Sequence, residues 1–479
     1  MKKNQGFFVM SGKIRFALVL CATVLLMLTS CAGARSRLAV PSETVDVVVI
    51  GGGGAGITAA SHLLSEGKSV ILVEKLGIMF GNTALASTQM WAAESSMQRA
   101  LGLTETSDDF YNFLIRTGRN RGLNMDSAAT RVMAQRSGEM MDWLLGIGVP
   151  FGRVFNIWSH GPADGSMPGA AFMIGLQAEL DRSGLDYRLN TRATELIMNN
   201  GKIAGVKVTG PNGEYIINAR AVIICSGGFA NNPEMIAKYD PRWATLGTSG
   251  AIGQTGDGIR MAQAVGAEVV DMDMMTINPT VLFRGEQGIS LTPLRANGAI
   301  MVNKLGKRFT NEMGGATIQT LAMLEQEGQT AFMIFDDTMI RTIELMRQYK
   351  ELGFFQQANS IEELARIMGI DPEGLTSTVN TYRTFVRNNH DPEFGRTFMA
   401  IDFENPPFYA VRVEPAVQST AGGIKVDIMS RVIDTNSNII PGLFAAGSVA
   451  GEGTKAVSPL TKTFVFARIA GEAAVEYLR

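Results

Sequence analysis

The stretch that decides the fold is VDVVVIGGGGAGITAASHLLSEGKSVILVEK, residues 45–75. It opens with a continuous apolar run of the kind found in strands that are buried on both faces of a parallel sheet. A glycine-rich turn, a segment with helical character and a second apolar run, SVILVEK, follow in that order. This order predicts a βαβ unit with parallel strands, and therefore an α/β fold.

The glycines of this stretch match the G-x-G-x-x-G pattern at Gly51, Gly53 and Gly56. One such glycine makes a tight turn, one lets the backbone approach a pyrophosphate, and one lets the helix pack closely on the strand. The helix N-terminus adds free N–H groups and the positive end of a dipole. Glu74 ends the second apolar run, where a carboxylate accepts a hydrogen bond from a ribose hydroxyl. Together these features predict a dinucleotide site rather than a purely structural glycine turn.

Composition narrows the class of protein. Of the 479 residues, 46% are hydrophobic, 18% are charged and 53 are glycine, which suits an α/β enzyme with many tight loops. A formal net charge of −2 gives no electrostatic attraction to nucleic acid, so no nucleic-acid partner is expected. The three cysteines show neither C-x-x-C-H nor zinc-ligand spacing. We therefore expect no metal site, and we expect any redox centre to be an organic cofactor.

The first residues are typical of a targeting signal. Lys13 and Arg15 precede an apolar run at residues 16–28, which is short for a membrane span but suits a signal-peptide core. The sequence LTSC at residues 28–31 resembles a bacterial lipobox, in which Cys31 becomes the lipidated first residue. The alternative is an ordinary signal peptide with a chance cysteine. We expect a signal peptide at residues 1–30, a tether at residues 31–44, and an exported protein that is lipid-anchored in the bacterial cell envelope.

The remaining chain predicts an inserted domain. Residues 107–146 have a helical pattern, and strands are expected on both sides of the Asn200-Gly201 turn. Residues 319–347 and the helix SIEELARIMGI predict a mostly helical segment between two glycine-rich regions. Nucleotide-fold character returns at IPGLFAAGSVAGEG. The loose glycine match at residues 451–456 lacks a following strand and acid, so a second full nucleotide-binding domain is not expected.

Further motifs occur in the order found in one family: Gly81-Asn82, IICSGGF, QTGDG, GLFAAGSVAG and RANGAIMVNKLGKRFTNE. From about residue 45 to its end the chain resembles the flavoprotein subunits of fumarate reductase and succinate dehydrogenase, with the related soluble fumarate reductases, urocanate reductases and ketosteroid dehydrogenases. The resemblance implies a Rossmann-like FAD-binding domain at residues 45–278 and 416–479, with an α+β capping domain inserted at residues 279–415. Some members bind the flavin covalently through a histidine; GNTALAS stands there in this chain, so noncovalent FAD is expected.

The resemblance also implies which residues hold FAD. Ala55, Glu74 and the backbone of Ala193 would contact the adenosine half, while Asn82, Thr83 and Asp257 would lie along the cofactor. The full expected set is Gly51, Gly53, Gly54, Ala55, Gly56, Glu74, Lys75, Asn82, Thr83, Ala193, Ser226, Gly227, Asp257, Gly447, Ser448, Leu460 and Thr461.

At the reacting centre the chain departs from that family, which uses histidines and arginines there. Residues 278–280 read Asn-Pro-Thr in place of His-Pro-Thr, and residues 419–423 begin with Ser419 in place of a histidine. The arginine that follows the RFTNE motif in the family is absent from residues 313–317. The sequence VSPLT stands where the family has an Asn-Arg-Leu-Gly-Gly segment. Of the family's catalytic histidines and arginines, Arg295 alone is retained. A dicarboxylate would lose several charge-assisted hydrogen bonds, each contributing about 1.5–3 kcal/mol, so fumarate is not the expected substrate.

Several polar residues remain as candidates near the substrate, and each has a structural alternative. Asn278 could instead shape the turn before Pro279, and Ser419 could instead bond the backbone. His160 lies in the loop WSHGPADG, where it could face the cleft. The candidate catalytic residues are Arg295, Asn278, Ser419, His160 and Lys455; Arg284 and Lys462 are further polar candidates.

The expected activity is hydride transfer between FAD and a small organic substrate with an activated C=C or CH–CH bond. Because no haem motif or fused electron-transfer domain is visible, electrons would be exchanged with a separate protein or a membrane quinol. The alternative is a flavin-carrying binding or assembly subunit that has lost turnover.

Overall fold

The computed structural model describes residues 41–120, 122–451 and 457–479. The strands of the described residues are β1 Ser42–Ile50, β2 Val70–Val73, β3 Met90–Trp91, β4 Phe151–Val154, β5 Ser159–Pro162, β6 Asp186–Arg188, β7 Arg192–Asn199, β8 Lys202–Gly210, β9 Gly213–Ile224, β10 Gly247–Thr248, β11 Val269–Val270, β12 Met275–Arg284, β13 Gln287–Ser290, β14 Ile300–Val302, β15 Ala331–Asp336, β16 Gln356–Ala358, β17 Phe408–Thr420, β18 Gly423–Ile424, β19 Arg431–Ile433 and β20 Ile439–Ala445.

The α-helices of the same residues are α1 Gly54–Ser65, α2 Gly81–Ala84, α3 Ser96–Ala100, α4 Ser107–Asn120, α5 Ser127–Gly146, α6 Pro168–Ser183, α7 Pro233–Tyr239, α8 Asp257–Ala264, α9 Thr292–Ala296, α10 Ala316–Leu324, α11 Asp337–Thr342, α12 Glu344–Glu351, α13 Ile361–Met368, α14 Pro372–Asn388 and α15 Pro459–Leu478. Short 3-10 helices lie at Pro241–Trp243, Glu327–Gln329 and Gly447–Val449.

The main sheet confirms the predicted βαβ unit. Strands β1 and β2 are parallel neighbours, with Val47 opposite Val70. The strand order is β19-β20-β9-β1-β2-β6, and β7 and β8 extend the sheet from β9. Alternate residues of β1 enter two different cores: Val47 and Val49 pack with helices α1, α5, α6 and α15, whereas Val48 and Ile50 pack with β8, β9 and α8. Both faces of β1 are therefore covered, as the continuous apolar run predicts.

A second sheet has the order β13-β12-β17-β15-β14, with β10 and β16 also paired to β17. Its own apolar core contains residues of helices α9 to α14. Strands β12 and β17 are antiparallel, with Thr276 opposite Ser419. The expected domain junctions at residues 278/279 and 415/416 lie inside these two strands, so the chain passes each junction without a break in the strand. This second sheet with its helices is the α+β layer expected of a capping domain.

Two local predictions need correction. Residues 319–347 are not continuously helical, because the buried run AFMIFD forms β15 and pairs with β14 and β17. Short apolar runs are compatible with both a buried strand and a buried helix, which explains the error. The helical stretch at residues 107–146 is divided into α4 and α5. The hairpin prediction is confirmed: Asn200 and Gly201, with φ of 50° and 74°, join β7 to β8.

The N-terminal predictions fall mostly outside the described residues. The signal peptide, Cys31 and the tether up to residue 40 lie there, and so does Lys455. Strand β1 begins at Ser42, so the last residues of the expected tether are already part of the sheet. Among the helices of the described residues, none has the length and apolar character needed to cross a membrane.

Candidate active site

The glycine turn after β1 has the geometry that the sequence pattern predicts. Gly51 has a φ of 111°, and a Cβ atom there would lie 2.5 Å from the backbone oxygen of Cys225. A Cβ atom on Gly56 would lie 1.9 Å from the backbone oxygen of Gly51, so Gly56 allows close packing of α1 on the turn. At Gly53 the nearest neighbour of an added Cβ atom is the Phe80 oxygen at 3.8 Å, and Gly53 lines a cavity. The Gly54 N–H already donates to Thr83 Oγ1 at 3.1 Å, and Ala55, the next residue of α1, also lines the cavity. A ligand can therefore approach the N-terminus of α1 from the cavity.

That cavity collects most of the residues expected to hold the cofactor. Gly51, Gly53, Gly54, Ala55, Glu74, Lys75, Asn82, Thr83, Ala193, Ser226, Gly227, Asp257, Gly447, Ser448 and Leu460 line it. Gly56 and Thr461 do not line it. Gly56 packs against Gly51, and the Thr461 hydroxyl bonds to Ser458 and to the Trp91 backbone oxygen.

Glu74 is held in place at one end of the cavity by backbone donors. Its Oε2 accepts a hydrogen bond from the Gly52 N–H at 2.8 Å, and its Oε1 accepts one from the Leu76 N–H at 2.9 Å. Each carboxylate oxygen keeps further acceptor capacity. The fixed carboxylate can therefore also accept from a hydroxyl of a ligand, as the sequence analysis expects.

Asp257 forms ion pairs with three cationic side chains close to Glu74. It accepts from Lys75 Nζ at 3.1 Å, Arg192 Nε at 3.1 Å and Arg260 Nη2 at 2.6 Å. Burial raises the pKa of Asp257, but the nearby Lys75 and Arg192 outweigh burial and hold this pKa below its usual value. Three cations surround this carboxylate, so this end keeps net positive charge even with Glu74 counted. Such an environment favours a phosphate-bearing ligand.

Unpaired buried atoms also indicate that the cavity is built for a ligand. Within the described residues, the Ser226 and Ser249 hydroxyls and both amide atoms of Gln254 are buried without a hydrogen-bond partner. All three side chains line the cavity. A buried polar group left unpaired costs about 1–3 kcal/mol, so these groups are expected to bond to a bound molecule. Together with the open approach at Gly53, they fit a dinucleotide cofactor.

A group of uncharged polar side chains also lines the cavity. We call it the neutral group, and define it by Asn82, Ser249, Gln254, Gln287, Gln418 and Ser419. The loop after β10 connects them: Asn82 Oδ1 accepts from the Ala251 N–H at 2.5 Å, and Gln287 Nε2 donates to the Gly250 oxygen at 3.3 Å. The charged lining residues among those described are Glu74, Lys75, Arg192 and Asp257. Lys75 also donates to the hydroxyl of Thr255, the residue after Gln254, so the neutral group borders the charged cluster.

Among the candidate catalytic residues, Ser419 lines the cavity. Asn278 is buried beside it in the sheet but does not line the cavity. Its amide donates to Ser290 Oγ at 2.8 Å, and its carbonyl accepts from the Thr280 N–H at 3.0 Å. These contacts match the structural alternative, in which Asn278 shapes the turn around Pro279. Lys455 lies outside the described residues.

Arg295 lies on α9 and does not line the cavity. Its Nη1 donates to Gln319 Oε1 at 3.0 Å, and its buried Nε has no partner among the described residues. Burial lowers the pKa of Arg295 to about 10. The guanidinium is therefore a half-buried cation held by the amide of Gln319.

His160 is buried in the small sheet formed by β3, β5 and β4 and does not line the cavity either. One ring nitrogen is 2.7 Å from Ser95 Oγ and the other is 2.8 Å from the Trp158 oxygen. Burial lowers the pKa of this imidazole, so His160 is a neutral group with both nitrogens occupied.

The two further polar candidates also lie away from the cavity lining. Arg284 Nη2 donates to the Gly353 oxygen at 2.9 Å. Lys462 is buried on α15, its Nζ donates to the Ala450 oxygen at 2.7 Å, and burial lowers its pKa to about 8.

Two groups of residues escaped the sequence analysis. Gln254 is the first residue of the QTGDG motif and Ser249 lies shortly before it, but no pattern marks a side chain that will be buried and unpaired. The second group is a buried ionic network: Glu312 accepts from Arg308 Nε at 2.9 Å and from Arg396 Nη1 at 3.1 Å, and Arg308 also bonds Asp391 at 2.9 Å. The RFTNE motif contains two of these residues, but their partners lie far along the chain.

A mixed sheet with parallel strands around a glycine turn, a cavity along that turn and a second α+β layer define the class of two-layer flavoproteins. A family model described as FAD binding domain matches residues 46–465, and the chain belongs to this family. It is 34% identical over 453 residues to a fumarate reductase (cytochrome) of Shewanella frigidimarina, covering 91% of this chain and 78% of that protein. It is also 32% identical over 458 residues to a urocanate reductase of Eggerthella lenta, covering 89% of this chain and 74% of the relative.

A solved structure supports the same assignment. The open conformation of a flavocytochrome c3 fumarate reductase superimposes with a TM-score of 0.82 at 32% identity, covering 95% of this chain and 81% of that one. The α/β fold, the FAD cofactor and the fumarate reductase-like oxidoreductase class are thereby confirmed. The protein is an FAD-dependent oxidoreductase of this family that acts on C=C substrates.

Proposed function

We propose that this protein exchanges hydride between noncovalently bound FAD and a small unsaturated compound other than fumarate. The observation that carries the proposal is the neutral group of the cavity lining, whose described residues offer amides and hydroxyls. A dicarboxylate needs cationic or several charge-assisted partners when it is taken out of water. Arg295, the arginine retained from the family pattern, does not line the cavity and is bonded to Gln319.

Different residues would bind the cofactor and the substrate. Glu74 and the first N–H groups of α1 would hold the adenosine and pyrophosphate of FAD, and the cations around Asp257 would favour its phosphates. Bound FAD supplies hydride exchange with a carbon–carbon bond. Ser419 belongs to the neutral group and can donate a hydrogen bond to the group that activates this bond. No histidine of the described residues lines the cavity, which supports noncovalent binding.

The proposal includes where the protein works and how it receives electrons. Cys31 follows directly on a signal-like apolar run, which supports export and lipid anchoring in the bacterial cell envelope. The Shewanella relative is named for a cytochrome, whereas this chain contains no C-x-x-C-H motif. A separate electron-transfer protein or a membrane quinol would therefore supply the electrons.

An anaerobic reoxidation experiment tests this function. The flavin-loaded protein is reduced chemically, and the return of the oxidised flavin spectrum is followed with unsaturated acids, amides and ketones, including fumarate. Rapid reoxidation by a compound other than fumarate is the expected result. Reoxidation by fumarate alone would refute the substrate assignment. Bound flavin that no compound reoxidises would favour the alternative of a binding or assembly subunit.

A further inference from the structure

We propose that Gln254 and Ser249 bind the FAD, and that the bound cofactor thereby holds the second sheet against the main sheet. The inference goes beyond the proposed function, because it concerns how the cofactor stabilises the protein and is the same for any substrate. Both residues lie in the segment of residues 248–256, which we call the bridge segment. Neither belongs to the glycine turn after β1 or to the cofactor residues that the sequence analysis expects.

One part of the bridge segment is bonded to the second sheet. Thr248 pairs with Val417 of β17, and the Ser249 N–H donates to the Val417 oxygen at 3.1 Å. From β13, Gln287 Nε2 donates to the Gly250 oxygen at 3.3 Å. The beginning of the bridge segment is therefore attached to both β13 and β17.

The rest of the bridge segment is bonded to the layer of the main sheet. Asn82 Oδ1 accepts from a backbone N–H of the segment at 2.5 Å, and the Asn231 N–H donates to the Gln254 oxygen at 2.9 Å. Lys75, a cavity-lining cation that follows β2, donates to Thr255 Oγ1 at 2.5 Å. The bridge segment thus connects the two layers through its own hydrogen bonds.

Gln254 faces the cofactor cavity from this segment. The residue is 3% exposed and lines the cavity, and neither its Nε2 nor its Oε1 has a hydrogen-bond partner among the described residues. Its chain neighbour Thr255 bonds Lys75, and a Cβ atom on Gly227 would lie 3.4 Å from Gln254 Cγ. Lys75 and Gly227 both belong to the expected cofactor residues. A terminal amide offers donors or an acceptor according to its rotation, so it can pair with either kind of cofactor atom.

Ser249 stands where the bridge segment joins the second sheet. Its hydroxyl is buried, lines the cavity and is likewise unpaired within the part of the chain that the structure describes. The Gln254 N–H donates to the Ala251 oxygen at 3.0 Å, so a turn separates the two side chains. A cofactor that bonds both side chains spans this turn and connects its two ends.

The unpaired groups make the bridge segment sensitive to the cofactor. Without a ligand these buried groups are unsatisfied, which favours local opening of the segment. A ligand that bonds them binds the closed arrangement and raises its population. Because the segment is bonded to β13 and β17, the same ligand reduces opening of that part of the second sheet. FAD binding and the local stability of β13 are therefore coupled through Gln254 and Ser249.

Hydrogen–deuterium exchange, resolved by mass spectrometry of peptides, measures this coupling in the apoprotein and at saturating FAD. The peptides of interest cover the bridge segment and β13, and α14, which packs in the core of the second layer, is the reference. The Kd for FAD and the urea unfolding of each apoprotein are measured in parallel. The variants are Gln254→Met and Ser249→Ala, and Gln263→Met, at an exposed glutamine on α8, is the matched control.

In the wild type, FAD should slow exchange in the bridge segment and β13 by at least about tenfold and in α14 by much less. Gln254→Met and Ser249→Ala should each raise the Kd for FAD by about tenfold, the size of one hydrogen bond, and should reduce the protection of β13 at saturating FAD. The Gln254→Met apoprotein should unfold at the same urea concentration as the wild type or a higher one, because the replaced amide has no partner before FAD binds. Gln263→Met should behave as the wild type.

Several results would overturn the inference. Unchanged FAD affinity in both variants would show that neither side chain binds the cofactor. Equal slowing of exchange in α14 and β13, or protection of β13 that both variants retain, would show that FAD stabilises the protein without the bridge segment. A Gln254→Met apoprotein that is clearly less stable would show that the amide already has a partner. A wild-type protein that binds no FAD would overturn the proposed function as well, whereas the other results leave it untouched.

Discussion

The two glycines Gly53 and Gly56 should respond to the same substitution in opposite ways. In Gly56→Ala the new methyl group would stand 1.9 Å from the Gly51 backbone oxygen, about 1.5 Å short of ordinary contact. Neither backbone can yield without moving α1 from the sheet, and overpacking of this kind costs about 1–3 kcal/mol or more. We therefore expect the free energy of unfolding of the apoprotein to fall by about 3 kcal/mol.

In Gly53→Ala the methyl group would have the Phe80 oxygen at 3.8 Å as its nearest neighbour. Gly53 already has φ and ψ of −77° and −178°, which alanine adopts freely. The free energy of unfolding of the apoprotein should therefore change by less than about 1 kcal/mol, and this figure includes the effect of the weaker N-cap. The methyl group would however block the approach of a pyrophosphate and cost hydrogen bonds to a charged acceptor. A loss of about 3 kcal/mol corresponds to a Kd for FAD that is higher by about 150-fold.

The assay needs two measurements on each apoprotein: urea unfolding followed by circular dichroism, and FAD titration followed by quenching of flavin fluorescence. Gly146→Ala is the matched control, because a Cβ atom there has no neighbour within 4 Å and the residue is helical. This control should be neutral or slightly stabilising. If Gly53→Ala binds FAD as the wild type does, or if it unfolds as early as Gly56→Ala, the roles assigned to the two glycines are refuted.

Three further predictions concern the anchor, the ionic network and the pH dependence of stability. Cys31→Ala should move the protein from the membrane pellet to the soluble fraction of lysed cells, and an unchanged distribution would reject the lipid anchor. Glu312→Gln should lower the free energy of unfolding by about 3–5 kcal/mol in urea titrations, since it leaves the buried Arg396 without its carboxylate and Arg308 with Asp391 as its remaining buried partner; the exposed Glu325→Gln is the control and should change little. Asp257 has a lowered pKa in the folded state, so the unfolded chain takes up its proton first as the pH falls, and this contribution to stability is lost below about pH 4. In Asp257→Asn the free energy of unfolding should fall less between pH 7 and 3 than in the wild type. An identical fall in urea titrations over this range would contradict the assignment.

The parts of the fold that the sequence predicts are those fixed by local pattern. The βαβ unit follows from an apolar run, a glycine turn and a second apolar run, because each step is determined within a few residues. The hairpin at Asn200-Gly201 is equally local, since both residues tolerate positive φ. Strand β15 was missed because its short apolar run forms a strand through partners that are distant in sequence, in β14 and β17.

The same distinction between local patterns and distant partners holds for the residues of the candidate site. The residues around the glycine turn belong to a contiguous motif, and most of those expected to hold the cofactor line one cavity. Gln254 and Ser249 could not be found in this way, because what distinguishes them is the lack of a partner after folding. His160 looked accessible in a Gly/Pro loop, yet the loop forms β5, whose neighbours β3 and β4 bury the ring.

The ionic network explains how the family motif RFTNE can persist while the reacting centre differs. Glu312 accepts from Arg308 and Arg396 and also from the Met301 N–H at 3.0 Å, and all of these groups are buried in the layer formed by the second sheet. Loss of Glu312 would leave Arg396 without its carboxylate and Arg308 with Asp391, so the motif stabilises the fold whatever the substrate is.

Arg295 is connected to the segment of Glu312 through Gln319. It donates to Gln319, whose own amide donates to the backbone oxygens of Glu312 and Gly314 at 3.1 and 2.7 Å. Its retention is therefore accounted for by packing, and it does not by itself support dicarboxylate chemistry. Since the network lies apart from the cavity lining, substitution of the cavity residues leaves it intact. A change of substrate can thus occur within this fold at little cost in stability.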